Sequence, residues 1–389
     1  MALKTGWAGA RNILAVRLDS MGDVLMSSPA LAAMRLSSPD VRLTLLTSIE
    51  GARTARHVDV VDDTLVYAAP WVAPAAEPSS HRADLAFINT LAQRGFDAAV
   101  IFTVCTQSAL PAALACRLAG IPLRLAHSRE NPYALLTDWV RDPDTEIASA
   151  RHEVQRQLDL VREVGFETQD QHLRMRYDHA DALRMQAALA EAGGDVRRPY
   201  IVVHAGARAA SRRYPAPLYG VVARALQART GMQLVFTGSD GEADLVTQAA
   251  AQMSQAPVDL AGKLGLGELA ALLDGAQVLL CNNTGPAHMA AALGTPVVVL
   301  YALTNPQHTP WQVPARVLSH DVPCRNCLKS RCPEIHHDCL LRIAPETVVE
   351  ATLDLLARSA SVPHHGAAHA AARWQHHGAA RPAARAAVG

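Results

Sequence analysis

The chain has 389 residues, half of them apolar, and its 36 basic and 36 acidic side chains cancel to a formal net charge of zero. That balance excludes the global basic field expected of a nucleic-acid binder, and no apolar run reaches the roughly 18–20 residues needed to span a bilayer. The length exceeds what one core ordinarily fills, which predicts two domains. The opening MALKTGWAGARN lacks the apolar stretch of a signal peptide, so a cytosolic protein is expected. Its seven cysteines are then expected to be reduced, and a cluster of them reads as a metal site before a disulfide framework.

In chain order, residues 12–18 form a first buried strand that breaks at the polar turn Asp19-Ser20-Met21-Gly22-Asp23. A helix containing Pro29 follows and ends at Pro39-Asp40, and Val41 to Thr47 is the next strand. Strand, glycine turn, helix, strand is the start of a parallel α/β sheet, in which ligands gather beyond the C-terminal strand ends. Asp19, Ser20 and Asp23 lie at such an end. Asp23 reads either as a helix cap or as a carboxylate poised to take a proton. Further strands are expected at 64–67, 98–102 and 124–126. Helices are expected at 85–94, 108–119, 151–164 and 180–192, the third the longest of the first three. The Pro/Ala-rich stretch 69–80 reads as a loop. The polar segment Asp195 to Pro199 reads as a hinge between domains.

The second half restarts the pattern. Strands are expected at 200–204, 233–237 and 258–260, with helices at 218–227, from 243 to about 253, and at 266–273. The stretch VLLCNNTGPAHMAAALGTPVVVLY, Val278 to Tyr301, reads as two buried strands around a small-residue helix that ends at Gly294. Its Thr284-Gly285 turn aims backbone N–H groups and a helix N-terminus at one point, with His288 in the first turn, an arrangement suited to phosphate. Two more strand-end turns converge with it, one carrying Gly206 with Arg212 and Arg213, the other Gly238 with Glu242. Arginines neutralise a diphosphate and a carboxylate accepts both hydroxyls of a ribose, so a nucleotide-diphosphate site fits all three turns. The bland readings are a solvated arginine pair and a first-turn helix acid.

These stretches resemble a known family. ILAVRLDSMGDVLMSSPAL, HAGARAASRRYP, FTGSDGEADLV, the NNTGPAH segment and the closing CLLRIAPETVVEATLDLL are similar to family 9 glycosyltransferases, the bacterial ADP-heptose:lipopolysaccharide heptosyltransferases. The resemblance runs from about residue 12 to 358 and is poorly matched from about 50 to 190. It implies an α/β GT-B fold, two Rossmann-like domains with parallel sheets facing a central cleft. Residues 1–195 would bind the acceptor and 196–344 the nucleotide sugar, with a last helix near 345–358 packing back across the first domain. The resemblance implies Asp23 as general base, with Ser20 and Gly22 beside the acceptor. Gly206, Arg212, Glu242, Asn283, Thr284, Gly285 and His288 would hold the donor. Asn283 stands where many members have Asp, Arg212 where Lys is usual, and Tyr214 where Trp is usual and would keep an aromatic shelf. The implied reaction is heptose transfer from ADP-heptose to a lipid-linked saccharide of the lipopolysaccharide core, with inversion and no cofactor. The partners are then that donor and acceptor, with peripheral contact at the inner face of the cytoplasmic membrane and no nucleic acid. Arg53, Arg56, Arg82 and Arg94 would meet anionic sugars or lipid phosphates, or are simply solvated. A different nucleotide sugar, a different acceptor, or a catalytically silent nucleotide-sugar-binding scaffold are the alternatives.

Cys324, Cys327, Cys332 and Cys339 lie within sixteen positions, beside His336-His337. Four soft ligands at that density suit a structural zinc, or an iron–sulfur cluster, although the spacing is not that of a standard knuckle and plain thiols remain an alternative. Cys105, Cys116 and Cys281 read as packing residues. From Ser361 onward the composition collapses to Ala, His, Gly, Arg and Pro, which reads as a disordered tail.

Overall fold

The computed structural model describes residues 2–72, 80–144 and 151–360. The expected tail 361–389 and most of the expected loop 69–80 lie outside the described residues.

The first unit begins with β1 (Asn12–Arg17), α1 (Met21–Ser37), β2 (Arg42–Thr47), α2 (Ile49–Ala55) and β3 (Asp63–Val66). It continues with α3 (His81–Gln93), β4 (Ala98–Ile101), α4 (Leu110–Leu118), β5 (Leu123–Ser128), β6 (Asp138–Arg141) and α5 (Glu153–Arg162). Its six strands run in the order β3-β2-β1-β4-β5-β6, and every neighbouring pair is parallel. After α6 (His179–Glu191), the second unit contains β7 (Tyr200–His204), α7 (Ala216–Thr230), β8 (Gln233–Thr237), α8 (Ala243–Ala250), β9 (Val258–Asp259) and α9 (Leu266–Asp274). Then come β10 (Val278–Asn282), α10 (Gly285–Leu293), β11 (Val297–Leu300), β12 (Ala315–Leu318), α11 (Asp338–Leu341) and α12 (Pro345–Ala360). Its strand order, β12-β11-β10-β7-β8-β9, is that of the first sheet with the order of listing reversed, and all its pairs are parallel. Two such sheets with flanking helices make the GT-B α/β fold.

The central strands are apolar on both faces because helices cover both. Ile13 to Val16 and Val278 to Cys281 are at most 1% exposed. Edge strands do not show this. β12 is only partly buried and β6 carries Asp138 and Arg141, so neither reads as a continuous apolar run. Neither was anticipated from the sequence, and nor was α2.

Two packing relations and one helix length differ from the sequence reading. α12 lies on α7 and on β10 to β12, and Val348, Val349 and Leu355 join the core of the second sheet instead of crossing to the first domain. α6 packs on α9, so the chain has already entered the second unit before the proposed hinge. That hinge is tied to β8, since Gln233 Nε2 donates to the carbonyls of Asp195 and Arg198. Finally, α5 spans ten residues and α3 thirteen, so α5 is not the longest of its group. Its apolar residues Leu158, Leu160 and Val161 are buried, and α5 packs on α1.

Candidate active site

Each sheet has one point where strand order reverses, between β1 and β4 and between β7 and β10. Connections there leave in opposite directions and open a crevice beyond the C-terminal strand ends. The turn Asp19–Asp23 follows β1, and Asn283–Gly285 follows β10. The two crevices face one cleft lined by Asp19, Ser20, Gly22 and Asp23 from the first unit and by Arg212, Glu242, Asn283, Thr284, Gly285 and His288 from the second. The nine predicted cleft residues other than Gly206 are thus brought together.

The first wall is built on one arginine. Arg17 ends β1 with no solvent exposure, and its guanidinium meets Asp19 Oδ2 at 3.1 Å, Asp23 Oδ1 at 3.0 Å and Glu153 Oε1 at 2.8 Å. Asp23 is not the helix cap. Ser20 holds that position, and Asp23, three residues on, accepts from Ser20 N at 3.0 Å and Ser20 Oγ at 2.7 Å. Burial pushes the Asp23 carboxyl up, but Arg17, His308 and the Ser20 hydrogen bonds outweigh it and hold the group well below the usual carboxylate range. Asp19 goes the other way. Burial, with Asp23 as a like-charged neighbour, pushes it up to about 6 against the opposing pull of Arg17 and Gln107. One cation shared by three carboxylates leaves a net negative wall.

The second wall is built on helix ends. α10 has Pro286 near its start, where a missing N–H costs nothing, and ends at Gly294 with φ +80°. The Thr284 side chain caps none of its N–H groups. His288, 5% exposed, has a buried Nδ1 with no partner, and burial followed by the neighbouring His308 pushes its pKa down to about 3, so the ring is neutral. The buried Nε of Arg212 also lacks a partner. Buried donors and acceptors are normally satisfied, so two orphaned nitrogens on residues that line one cleft point to a ligand's polar atoms there.

Glu242 repeats the Asp23 arrangement. Its Oε2 accepts from Ser239 N and Oγ, both at 2.9 Å. Gly206 does not itself line the cleft, but a β-carbon there would fall inside the van der Waals shell of the Glu242 carboxylate. Its role is to leave that carboxylate room. Asn282, which the sequence reading passed over, holds this turn. It is fully buried, accepts from Tyr214 N and Tyr219 Oη at 2.9 Å each, and donates to the carbonyls of Ala205 and Gly206 at 2.8 and 3.2 Å. Tyr214 is no shelf for a ligand. It is 1% exposed, stacks edge-on against Tyr219 and donates its hydroxyl to Ile343 O. Arg17, Glu153 and His308 were also missed. Arg17 and Glu153 are 136 residues apart, and no local spacing links them.

The walls touch. A β-carbon on Gly22 would stand 2.8 Å from His288 Cδ2, and one on Gly285 would stand 2.9 Å from Met21 Sδ. Only glycine lets α1 and α10 bring their N-termini this close. Farther out, Arg208 Nη1 pairs with Glu50 Oε2 at 3.1 Å across the cleft. Arg53 and Arg56 line the cleft, whereas Arg94 pairs with Asp63.

Cys324, Cys327, Cys332 and Cys339 are all unpaired and half-buried. Among the described residues no three His, Cys, Asp or Glu side chains are placed to hold a metal ion, so this arrangement does not fit the expected zinc. The loop does brace the donor side, since Ser211 Oγ donates to Lys329 O and Ser211 N to Ser330 O. Cys105, Cys116 and Cys281 are buried packing residues. No helix among the described residues is long and apolar enough to cross a membrane.

Comparison with known proteins bears on the fold and the family. No curated protein sequence matches the chain. Among solved structures, a family 9 glycosyltransferase from Veillonella parvula shares 21% identity at a TM-score of 0.74, covering 92% of this chain and 99% of that one. The ADP-heptose lps heptosyltransferase II of E. coli shares 21% identity at 0.70, covering 90% and 99%. The E. coli heptosyltransferase WaaC, solved with ADP-2-deoxy-2-fluoro heptose, shares 18% at 0.62, covering 88% and 99%. These likenesses establish the fold. The family model for glycosyltransferase family 9 (heptosyltransferase) matches residues 85–337. The chain belongs to that family and is a glycosyltransferase.

Proposed function

We propose that this enzyme transfers a heptose from ADP-heptose, with inversion, to a lipid-linked saccharide of the lipopolysaccharide core. The observation that carries the donor half is the pair of orphaned buried nitrogens, Arg212 Nε and His288 Nδ1, beside the uncapped N-terminus of α10. A diphosphate would satisfy both and meet the positive helix end. Asn283, Thr284 and Gly285 border the same point, and Glu242, given room by Gly206, would accept the ribose hydroxyls. Asp23 would face the acceptor hydroxyl as general base, with Ser20 and Gly22 shaping the approach. The acceptor oxygen bonds to the anomeric carbon as the bond to the diphosphate oxygen breaks, and ADP leaves with its electrons. The charge that develops meets Arg212 and the α10 amides.

A lipid-linked acceptor implies peripheral contact with the inner face of the cytoplasmic membrane, with Arg53 and Arg56 meeting its anionic groups. The test is calorimetric titration with ADP, UDP and GDP, then transfer from ADP-heptose. Selective ADP binding that Arg212→Ala and Glu242→Ala abolish is expected, with Asp23→Asn losing transfer but not donor binding. Preference for UDP or GDP would overturn the heptose donor, and loss of donor binding in Asp23→Asn would overturn its role as base.

A further inference from the structure

We propose that Asp19 is the second carboxylate of the reacting centre: Asp23 accepts the hydrogen bond of the acceptor hydroxyl, and the proton released on transfer comes to rest on Asp19. The proposal rests on the glycosyl-transfer reading above. Asp23 is heavily engaged. Oδ1 takes Arg17 Nη2, and Oδ2 takes both the N–H and the hydroxyl of Ser20. A carboxylate so well satisfied orients a hydroxyl well but holds a proton poorly. Asp19 lies four residues earlier on the same turn and lines the same cleft. Its Oδ1 accepts from Gln107 Nε2 at 2.6 Å, while its Oδ2 has only the 3.1 Å approach of Arg17 Nε, a nitrogen whose geometry makes no hydrogen bond.

The groups that face Asp19 are Arg17 on β1, Asp23 on α1, Gln107 after β4 and Glu153 on α5. One cation among three carboxylates leaves this wall short of positive charge, and taking up a proton at Asp19 relieves that deficit. Its carboxyl, pushed up to about 6, suits a group that is empty before transfer at neutral pH and able to hold the proton afterwards. In the step, the hydroxyl oxygen bonds to the anomeric carbon, the carbon–phosphate oxygen bond breaks, and the hydroxyl proton passes by way of Asp23 to Asp19. Water in the cleft then takes it.

The test joins kinetics to a measurement that needs no substrate. Wild-type kcat should rise through an ionisation near pH 6. Asp19→Asn should abolish that limb and slow transfer by about 10²-fold or more, the scale of proton transfer by a positioned group, with ADP affinity unchanged. Infrared titration of the substrate-free protein should show a carboxyl band with the same midpoint. That band should be absent in Asp19→Asn and shifted to lower pH in Asp23→Asn, where a negative neighbour is gone. Gln107→Leu, which removes a hydrogen bond favouring the anion, should move both the limb and the band to higher pH. An unchanged pH limb in folded Asp19→Asn overturns the proposal. So does an unmoved band in Gln107→Leu, which also decides the matter if Asp19→Asn does not fold. Failure to bind ADP would instead count against the donor reading, and the infrared titration stands apart from it.

Discussion

Gly22 and His288 meet so closely across the cleft that a β-carbon on Gly22 would stand 2.8 Å from His288 Cδ2. The contact joins the turn that carries Asp23 to α10, whose uncapped N-terminus borders the cleft. The close approach of the two walls is therefore set by the absence of one methyl group.

Gly22→Ala should slow transfer by about 10²-fold, the scale of a displacement near 1 Å at a reacting centre. Stability should fall less than the rate, because the about 1 kcal/mol by which alanine is better than glycine in a helix offsets part of the about 1–3 kcal/mol cost of the overpacked contact. Steady-state rates read beside a thermal melt check this. A variant within twofold of wild type would show that the walls adjust freely.

His288→Leu separates stability from function. The Nδ1 atom is buried without a partner, and removing such a group relieves a penalty of about 1–3 kcal/mol. The substrate-free protein should melt at the same temperature or higher, while ADP affinity falls roughly tenfold or more. The His288 ring is neutral from pH 5 to 8, so its contribution to binding should not vary with pH across that range.

Asn282→Leu should destabilise by about 3 kcal/mol, because it strands Tyr219 Oη, Tyr214 N and two turn carbonyls in a fully buried place. Denaturant unfolding measures this. Donor affinity should fall as well, since the Gly206 turn loses its clamp and Glu242 its backing.

The two aspartates predict opposite responses to pH. Asp19 is raised when folded, so its stabilising proton is fully present below the ordinary carboxylate value and lost as pH rises through about 6. Asp23 is depressed, so its contribution is present above the ordinary value and lost as pH falls below it. Asp19→Asn should therefore gain on wild type between pH 5 and pH 8, by on the order of 1–3 kcal/mol. Melting temperatures of both proteins at the two pH values decide it, and equal differences would contradict the raised Asp19.

Much of this was legible along the chain. The central strands and their glycine turns declare themselves because both faces of a parallel sheet are covered, leaving short apolar runs between breakers. The strand-end turns, Asp19 to Asp23 and Asn283 to Gly285, could be read as ligand sites because topology puts such turns at the rim. Of the four edge strands, β3 and β9 were legible but β6 and β12 were not, since those two are partly exposed and mix polar with apolar residues. Tyr214 was misread because a sequence motif does not reveal which way a ring points.

The sequence by itself thus determined two α/β units, the three turns that face the cleft and the residue types poised there, all consequences of local hydrophobic period and turn chemistry. Only the tertiary structure decided that Arg17 binds Asp19, Asp23 and Glu153 together, that Asn282 clamps the Gly206 turn, and that α12 stays on the second sheet. Those relations depend on which surfaces bury one another at a distance along the chain, 136 residues for Arg17 and Glu153 and 76 for Asn282 and Gly206, and electrostatic coupling follows distance in space, which spacing along the chain does not encode.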